Sequence, residues 1–201
     1  MIDVKAIVHL QCETVERWHR EPVDNPCQGN ELLELICRQH ERNYLLWHQE
    51  DIARSPDADA PTLAAVKRTI DRLNQERNDH IERVDQCLIA QLEAWGARPR
   101  PRARLNTETP GAAIDRLSVI ALRIYHMEEQ AGRGDASEEH REKARAKLAI
   151  LREQQADLAK SLQQLLNDIF AGRKRLKVYH QFKMYNDPAL NPYLYSRKPA
   201  A

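Results

Sequence analysis

The longest regular pattern in this chain is a stripe of mostly apolar residues, three or four positions apart, in the segment 136–171. Its members are Ala144, Leu148, Leu151, Gln155, Leu158, Leu162, Leu165 and Ile169. Because an α-helix turns once in about 3.6 residues, this spacing puts all of them on one face of a helix. An apolar face of roughly ten turns must be buried against other helices, so the stripe predicts a helical bundle.

Four further helices are predicted from similar stripes and from residue types that favour helix ends. They span the segments 3–20, 31–54, 61–95 and 110–131. Asp3, Asn30 and Thr109 are suitable N-caps for three of them. Short turns join the second helix to the third and the fourth to the fifth, which predicts two antiparallel hairpins.

Two segments lie outside the predicted helices. Residues 97–108 form a basic linker, because Pro99 and Pro101 forbid a helix there. Residues 173–201 are rich in aromatic side chains, and we expect a short helix around 174–185 followed by an extended strap. The fold class is therefore all-α, with residues 1–172 as the bundle and 173–201 as a C-terminal strap packed on it.

Charge and cysteine usage exclude several classes of function. Lys and Arg number 31 against 30 Asp and Glu, so the chain lacks the basic surface that duplex nucleic acid requires. The cysteines, Cys12, Cys27, Cys37 and Cys87, form no Cys-x-x-Cys pair and are typical of reduced thiols. We see neither a signal peptide nor an apolar run long enough to span a membrane, and we expect a cytoplasmic protein.

Polar residues interrupt the apolar stripes of the second and third helices. Arg77 occupies a stripe position of the third helix, flanked by Asn74 and Asn78. The second helix carries, on or beside its stripe, His40, Trp47, His48 and Asp51. Counting outward from the turn near residue 58 puts His40 level with Arg77, so these side chains are predicted to meet in one polar layer.

The second hairpin is predicted to carry a similar layer. Asp115 and Arg116 follow the start of the fourth helix at Thr109, and the same counting puts Gln155 of the fifth helix near their level. Such layers have two interpretations. They form a buried network that fixes helix register, or they line a pocket in which arginines and a helix N-terminus bind carboxylate or phosphate.

Four carboxylates form a second candidate site. Glu31 and Glu34 on the second helix face Glu82 and Asp85 on the third in the predicted hairpin. Four carboxylates at one level are suitable ligands for Mg²⁺, and the all-α nucleotide pyrophosphatases use a similar pattern. The alternative is that Glu31 and Glu34 only stabilise the first turn of their helix through its dipole.

Basic residues cluster in two places. Arginines alternate with other residues in the linker at 98, 100, 102 and 104, and a second cluster at 173–177 precedes Tyr179 and Phe182. Charge interleaved with aromatic rings is a pattern that binds single-stranded nucleic acid. Solvated helix ends, favoured by the dipole of each helix, also produce it.

Four segments resemble a bacterial family catalogued as domain of unknown function 4254. They are residues 46–54, 73–79, 106–127 and 177–195. The resemblance covers most of the chain and adds Lys183 and Asn186 to the candidate ligand-binding residues. It also implies an association with genes for cell-envelope glycans, which favours a sugar nucleotide or another phosphorylated ligand.

We therefore predict a cytoplasmic protein that binds an anionic small molecule between its helices, with no cofactor. One alternative is a Mg²⁺-dependent hydrolase that uses the four carboxylates. The other is a structural or homo-oligomeric accessory protein without a ligand. The sequence does not decide whether the protein is an enzyme.

Overall fold

The computed structural model describes residues 2–182, 184 and 187–195. Its helices are α1 (Val4–Trp18), α2 (Glu31–Arg54), α3 (Ala60–Ala94), α4 (Pro110–Gly132), α5 (Glu138–Phe170) and the single turn α6 (Pro192–Tyr195). The described residues include no β-strand, so the predicted all-α fold is confirmed. None of these helices is both long and apolar enough to cross a membrane.

Polar side chains start each of the five long helices. At each start the capping side chain accepts a hydrogen bond from a backbone N–H of the first turn, which otherwise has no partner. The caps are Asp3, Asn30, Asp59, Thr109 and Ser137. Gly96 and Gly172, both with positive φ, follow the ends of α3 and α5, as is common where a chain leaves a helix.

Helix α4 lies at the centre of the bundle and packs against α1, α2, α3 and α5. Ile114, Leu117 and Leu122 on it are completely or almost completely buried, and each such side chain stabilises the fold by roughly 1.5–3 kcal/mol. The α2–α3 and α4–α5 pairs form the two antiparallel hairpins. Helices α3 and α5 do not pack along their lengths in the described part of the chain, and meet near their C-terminal ends, where Trp95 contacts Phe170, so one side of α4 is left open between them.

The linker and the start of the tail lie together at the end of the bundle where α3 and α5 end. The prediction of a helix near 174–185 is wrong for residues 174–182, which contain no helix. The segment makes long-range contacts instead, because its backbone bonds to the linker and to the Glu82 carboxylate, which accepts from the Gln181 N–H at 2.8 Å. A single helical turn, α6, also stands within the predicted extended strap.

Candidate functional site

The carboxylate of Asp115 on α4 is the centre of a polar layer inside the bundle. Arg77 on α3 donates from Nε to Asp115 Oδ1 at 2.7 Å and from Nη2 to Oδ2. Asn43 on α2 donates to the same Oδ1 at 2.9 Å, and Gln39 donates to it as well. Asp115 is 5% exposed, so the arginine and two amides replace the water that this charge would lose on burial.

A neutral histidine continues the layer toward α1. His40 Nδ1 lies 2.6 Å from Ser118 Oγ, which also accepts from Asn43 at 2.8 Å. The His40 ring stacks on Trp18 with centroids 5.2 Å apart. Burial lowers the pKa of His40 to about 3, so the ring is uncharged at neutral pH. His40 and Ser118 therefore belong to the interior of the bundle, whereas Asn43, although only 4% exposed, also lines a cavity on its open side.

The open side of α4 forms a continuous groove, which we call the α4 groove. It consists of three cavities of about 930, 490 and 650 Å³. The first and second share Arg77 and Val119. The third shares Trp47 with the second and Arg123 with the first. Arg77 lines two of these cavities, Asp115 lines the first and Asn43 lines the second, so the polar layer reaches the groove through these three side chains.

Aromatic and histidine rings gather at the far end of the α4 groove. Trp47 stacks on His126, with centroids 4.6 Å apart and planes 8° apart. His19 and His48 lie 5.1 and 6.1 Å from the His126 ring. Burial, followed by the two other histidines, lowers the pKa of His48. In the described part of the chain, however, no three His, Cys, Asp or Glu side chains are placed to hold a metal ion.

The charges that line the α4 groove are balanced, but they are not all paired. Arg77 binds Asp115, Arg116 binds Glu108 at 2.8 Å, and Arg54 binds Glu50 at 3.0 Å. The remaining lining cations are Arg123, Lys147 and Lys174. Lys174 donates to the amide oxygen of Asn106 at 2.7 Å.

Arg123 and Lys147 form no ion pair with the described residues. Both line the third cavity, whose walls also contain the apolar side chains Trp47, Met127, Ile150 and Leu151 and the carboxylate of Asp51. This end of the groove therefore combines two available positive charges with apolar surface. Such a combination suits a ligand that has an anionic group attached to a ring or another apolar part.

The predicted site residues separate into lining residues and structural residues. Asp51, Asn74 and Arg116 line the α4 groove together with Trp47 and Arg77. Asn78 is half-buried on α3. Thr109 is buried as the N-cap of α4. Lys183 and Asn186 lie outside the described residues. Gln155 does not join the polar layer, because it donates to Cys12 Sγ on α1 at 3.7 Å.

Three of the four carboxylates of the alternative metal site have partners of their own. Glu34 binds Arg38 at 2.7 Å. Glu82 accepts from His180 Nδ1 at 2.5 Å and from the Gln181 N–H. Glu31 and Glu34 line a cavity between α2 and α3 that neither Glu82 nor Asp85 reaches. The described residues therefore provide no ready arrangement for Mg²⁺.

Asp85 has a structural role of its own. It is 2% exposed and accepts a 2.8 Å hydrogen bond from the N–H of Gly111 in the first turn of α4. Burial raises its carboxyl pKa to about 6, against smaller lowering effects from hydrogen bonds to Thr109 and Gly111. A Cβ at Gly111 would lie 2.6 Å from the carbonyl oxygen of Ile81, so glycine permits this close approach of α4 to α3.

Several residues of the site were not selected from the sequence. The buried layer also contains Gln39, Asn43 and Ser118, and the four-residue spacing of Gln39 and Asn43 on one helix face was the available signal. Arg123, Lys147 and His126 had no such signal, because single polar residues on exposed helix faces are common. Only the packing of α4 against its neighbours identifies them.

These features define an all-α protein of two helical hairpins with a groove along its central helix. The chain belongs to the family described as "Protein of unknown function (DUF4254)", whose sequence profile matches residues 33–178. The match covers α3, α4 and α5 completely and most of α2. The chain matches no curated protein and no solved structure.

Proposed function

We propose that this protein binds an anionic small molecule in the α4 groove, and that the anionic group lies at Arg123 and Lys147. The observation that carries the proposal is the pair of cations without an acidic partner beside apolar surface. Arginine suits phosphate and carboxylate because its planar guanidinium donates two parallel hydrogen bonds. Phosphorylated compounds and sugar nucleotides are the classes we would test first.

The groove offers matching surfaces for the rest of such a ligand. Trp47 and Met127 line the same cavity as the two cations, so a ring or an acyl group can pack there. Asp51 lines both the third and the second cavity, Asn74 lines the second, and both supply polar groups for hydroxyls. Asp115 holds the guanidinium of Arg77 in place through two of its five N–H groups. The other N–H groups of this fixed guanidinium can donate to a ligand.

The test is a thermal-shift and calorimetric panel of sugar nucleotides and sugar phosphates, with and without EDTA. We expect at least one compound to stabilise the protein in EDTA. We expect Arg123→Ala to weaken that binding by roughly tenfold or more, since a charge-assisted hydrogen bond contributes about 1.5–3 kcal/mol. Arg123 is exposed, so the variant should fold normally.

Arg68→Ala is the matched control. Arg68 is an exposed arginine on α3 without an ion pair to the described residues, and it does not line the α4 groove. Equal effects of the two substitutions would refute the placement of the anion. Binding that requires Mg²⁺ and disappears in Glu82→Ala would favour the hydrolase alternative. No response to any compound would favour an accessory protein without a ligand.

The proposed location is the cytoplasm. All four cysteines are free thiols, and burial raises the pKa of Cys37 to about 12, so that thiol stays protonated and unreactive. Free thiols in this number are typical of a reducing compartment.

A further inference from the structure

Two basic segments that are about 70 positions apart in the sequence lie side by side at one end of the bundle. Arg100 N–H donates to the carbonyl of Gly172 at 2.9 Å, and Arg175 N–H donates to the carbonyl of Arg104 at 2.9 Å. Arg104 and Lys174 form a parallel β-bridge. A Cβ at Gly172 would lie 2.5 Å from the carbonyl oxygen of Arg98, so the pairing depends on glycine.

The paired segments form a strongly positive surface, which we call the basic ribbon. It comprises Arg98, Arg100, Arg102, Arg104, Arg173, Lys174, Arg175 and Lys177. Segments 97–107 and 171–182 contain no Asp or Glu. The net charge of the whole chain is +1, so subtracting these eight cations leaves −7 for the rest. Charge is therefore concentrated at one end, although the chain as a whole is nearly neutral.

Contacts within the protein neutralise little of this charge. Among the eight, Arg173 forms an ion pair, with Asp168 at 2.7 Å, and the described residues supply no other acidic partner. The C-terminal ends of α3 and α5 point to this end and supply roughly half a negative charge each. Two half charges do not balance eight positive ones, so the ribbon is suited to a polyanion.

Exposed apolar side chains lie at the basic ribbon and along the tail that continues from it. Trp95 is 60% exposed, beside the linker, and packs against Phe170 with ring centroids 5.1 Å apart. Leu105 and Tyr179 are exposed within or just beyond the two segments, and Phe182 is 81% exposed. The tail that carries Tyr179 and Phe182 is fixed on α3 through Glu82.

We propose that the basic ribbon docks this protein on the surface of an anionic phospholipid membrane. Cations next to a bilayer attract acidic headgroups, and Trp, Phe and Leu side chains insert at the boundary of the acyl chains. Exposed aliphatic residues favour lipid over single-stranded nucleic acid, because bases stack on aromatic rings and gain little from leucine. The association is peripheral, as no helix among the described residues could span the bilayer.

The test is sedimentation of the full-length protein with vesicles of phosphatidylcholine alone and of phosphatidylcholine mixed with phosphatidylglycerol. We expect binding only to the mixed vesicles, decreasing as salt concentration rises. Arg102→Glu combined with Lys177→Glu should lower the partition coefficient about 25-fold or more, since each basic residue near the surface contributes about a factor of five. Trp95→Ala should weaken binding without changing its salt dependence.

The matched control is Arg68→Glu combined with Lys160→Glu, two exposed cations elsewhere on the bundle. It changes the net charge by the same amount and should leave vesicle binding intact. Equal loss in the two double variants, or equal binding to both kinds of vesicle, would overturn the proposal. So would tight binding of oligo-uridine RNA by a protein that ignores the vesicles. The tested residues do not line the α4 groove, so the proposed small-molecule function can fail or succeed independently.

Discussion

Two buried aspartates hold α3 and α4 together, and they do so by different means. Asp115 on α4 is bound by the guanidinium of Arg77 and by two amides. Asp85 on α3 has no cation and accepts from the backbone of the first turn of α4. Both are at most 5% exposed. A buried carboxylate therefore needs either a paired cation or a proton, because burial without one of them is costly.

The surroundings of the two aspartates also differ. Asp115 lies under the α4 groove, where its partner Arg77 reaches the open side of the bundle. Asp85 lies beside the first turn of α4, where a side chain at position 111 would overlap α3. The first carboxylate therefore fixes a charged residue within a candidate binding surface. The second fixes only the contact between two helices. Substitutions at each position should separate these roles.

The largest expected effect is that of Asp115→Ala. It leaves the half-buried Arg77 guanidinium and the amides of Gln39 and Asn43 without their acceptor. Removing one partner of a buried ion pair costs about 3–5 kcal/mol, and urea unfolding would measure it. Glu108→Ala is the control, because Glu108 pairs with Arg116 at an exposed position, where a pair contributes about 1 kcal/mol or less. Similar losses in both variants would contradict the assignment of Asp115 as a buried centre.

The second effect is a dependence on pH that comes from Asp85. Its pKa is about 6 in the folded protein, against 3.8 in the unfolded reference. The folded state therefore keeps a proton that the unfolded chain has lost, and the contribution of this group to stability falls as pH rises from about 4 to about 6. A difference of this size corresponds to about 3 kcal/mol. Asp85→Asn cannot titrate, so its stability relative to wild type should increase over that range.

His40 provides the opposite dependence within the same interior. Its pKa falls from 6.5 to about 3 on burial. Between these two pH values the His40 ring is protonated in the unfolded chain and neutral in the folded protein. Stability is therefore lost as pH falls below about 6.5. Urea unfolding of wild type, Asp85→Asn and His40→Gln at several pH values would resolve the two contributions. A stability difference between Asp85→Asn and wild type that does not vary with pH would refute the raised pKa of Asp85.

The smallest of these effects is that of Gly111→Ala. Its Cβ would overlap the Ile81 carbonyl and press on the Asp85 carboxylate, and overpacking of this kind costs about 1–3 kcal/mol. Gly132→Ala, in the last turn of the same helix, meets nothing within 4 Å. That control should be neutral or slightly stabilising, because alanine favours helix more than glycine does. If thermal unfolding ranks the two variants equally, the close approach at Gly111 is not what holds α4 to α3.

The positions of the helices could be predicted closely from the sequence, since α2 was placed at its observed bounds and the other long helices within about two residues. Caps and apolar spacing are local signals, and they act through hydrogen bonds within one turn. The short turn between α2 and α3 also made it possible to predict which of their residues lie opposite each other. Arg42 does lie 3.2 Å from Glu76 across that hairpin. Counting placed His40 and Arg77 near one height for the same reason.

The candidate site could be predicted only in part. Arg77 and Asp115 were both selected, but the sequence contained nothing to indicate that they bind each other, because the linker between their helices has no regular geometry. The helix expected near 174–185 was wrong for residues 174–182, since Gly172 and the linker backbone draw that segment into a bridge. Its contacts come from about 70 residues away and leave no local pattern.

The order of the residues is sufficient to specify five long helices, the residue at which each begins, and the polar side chains that interrupt their apolar faces. Those features depend on interactions between residues a few positions apart. The packed bundle establishes which polar residues are buried partners, which cations lack an ion pair in the α4 groove, and that two basic segments combine into one surface. These outcomes depend on which helix faces meet, and that is set by packing of the whole bundle around α4.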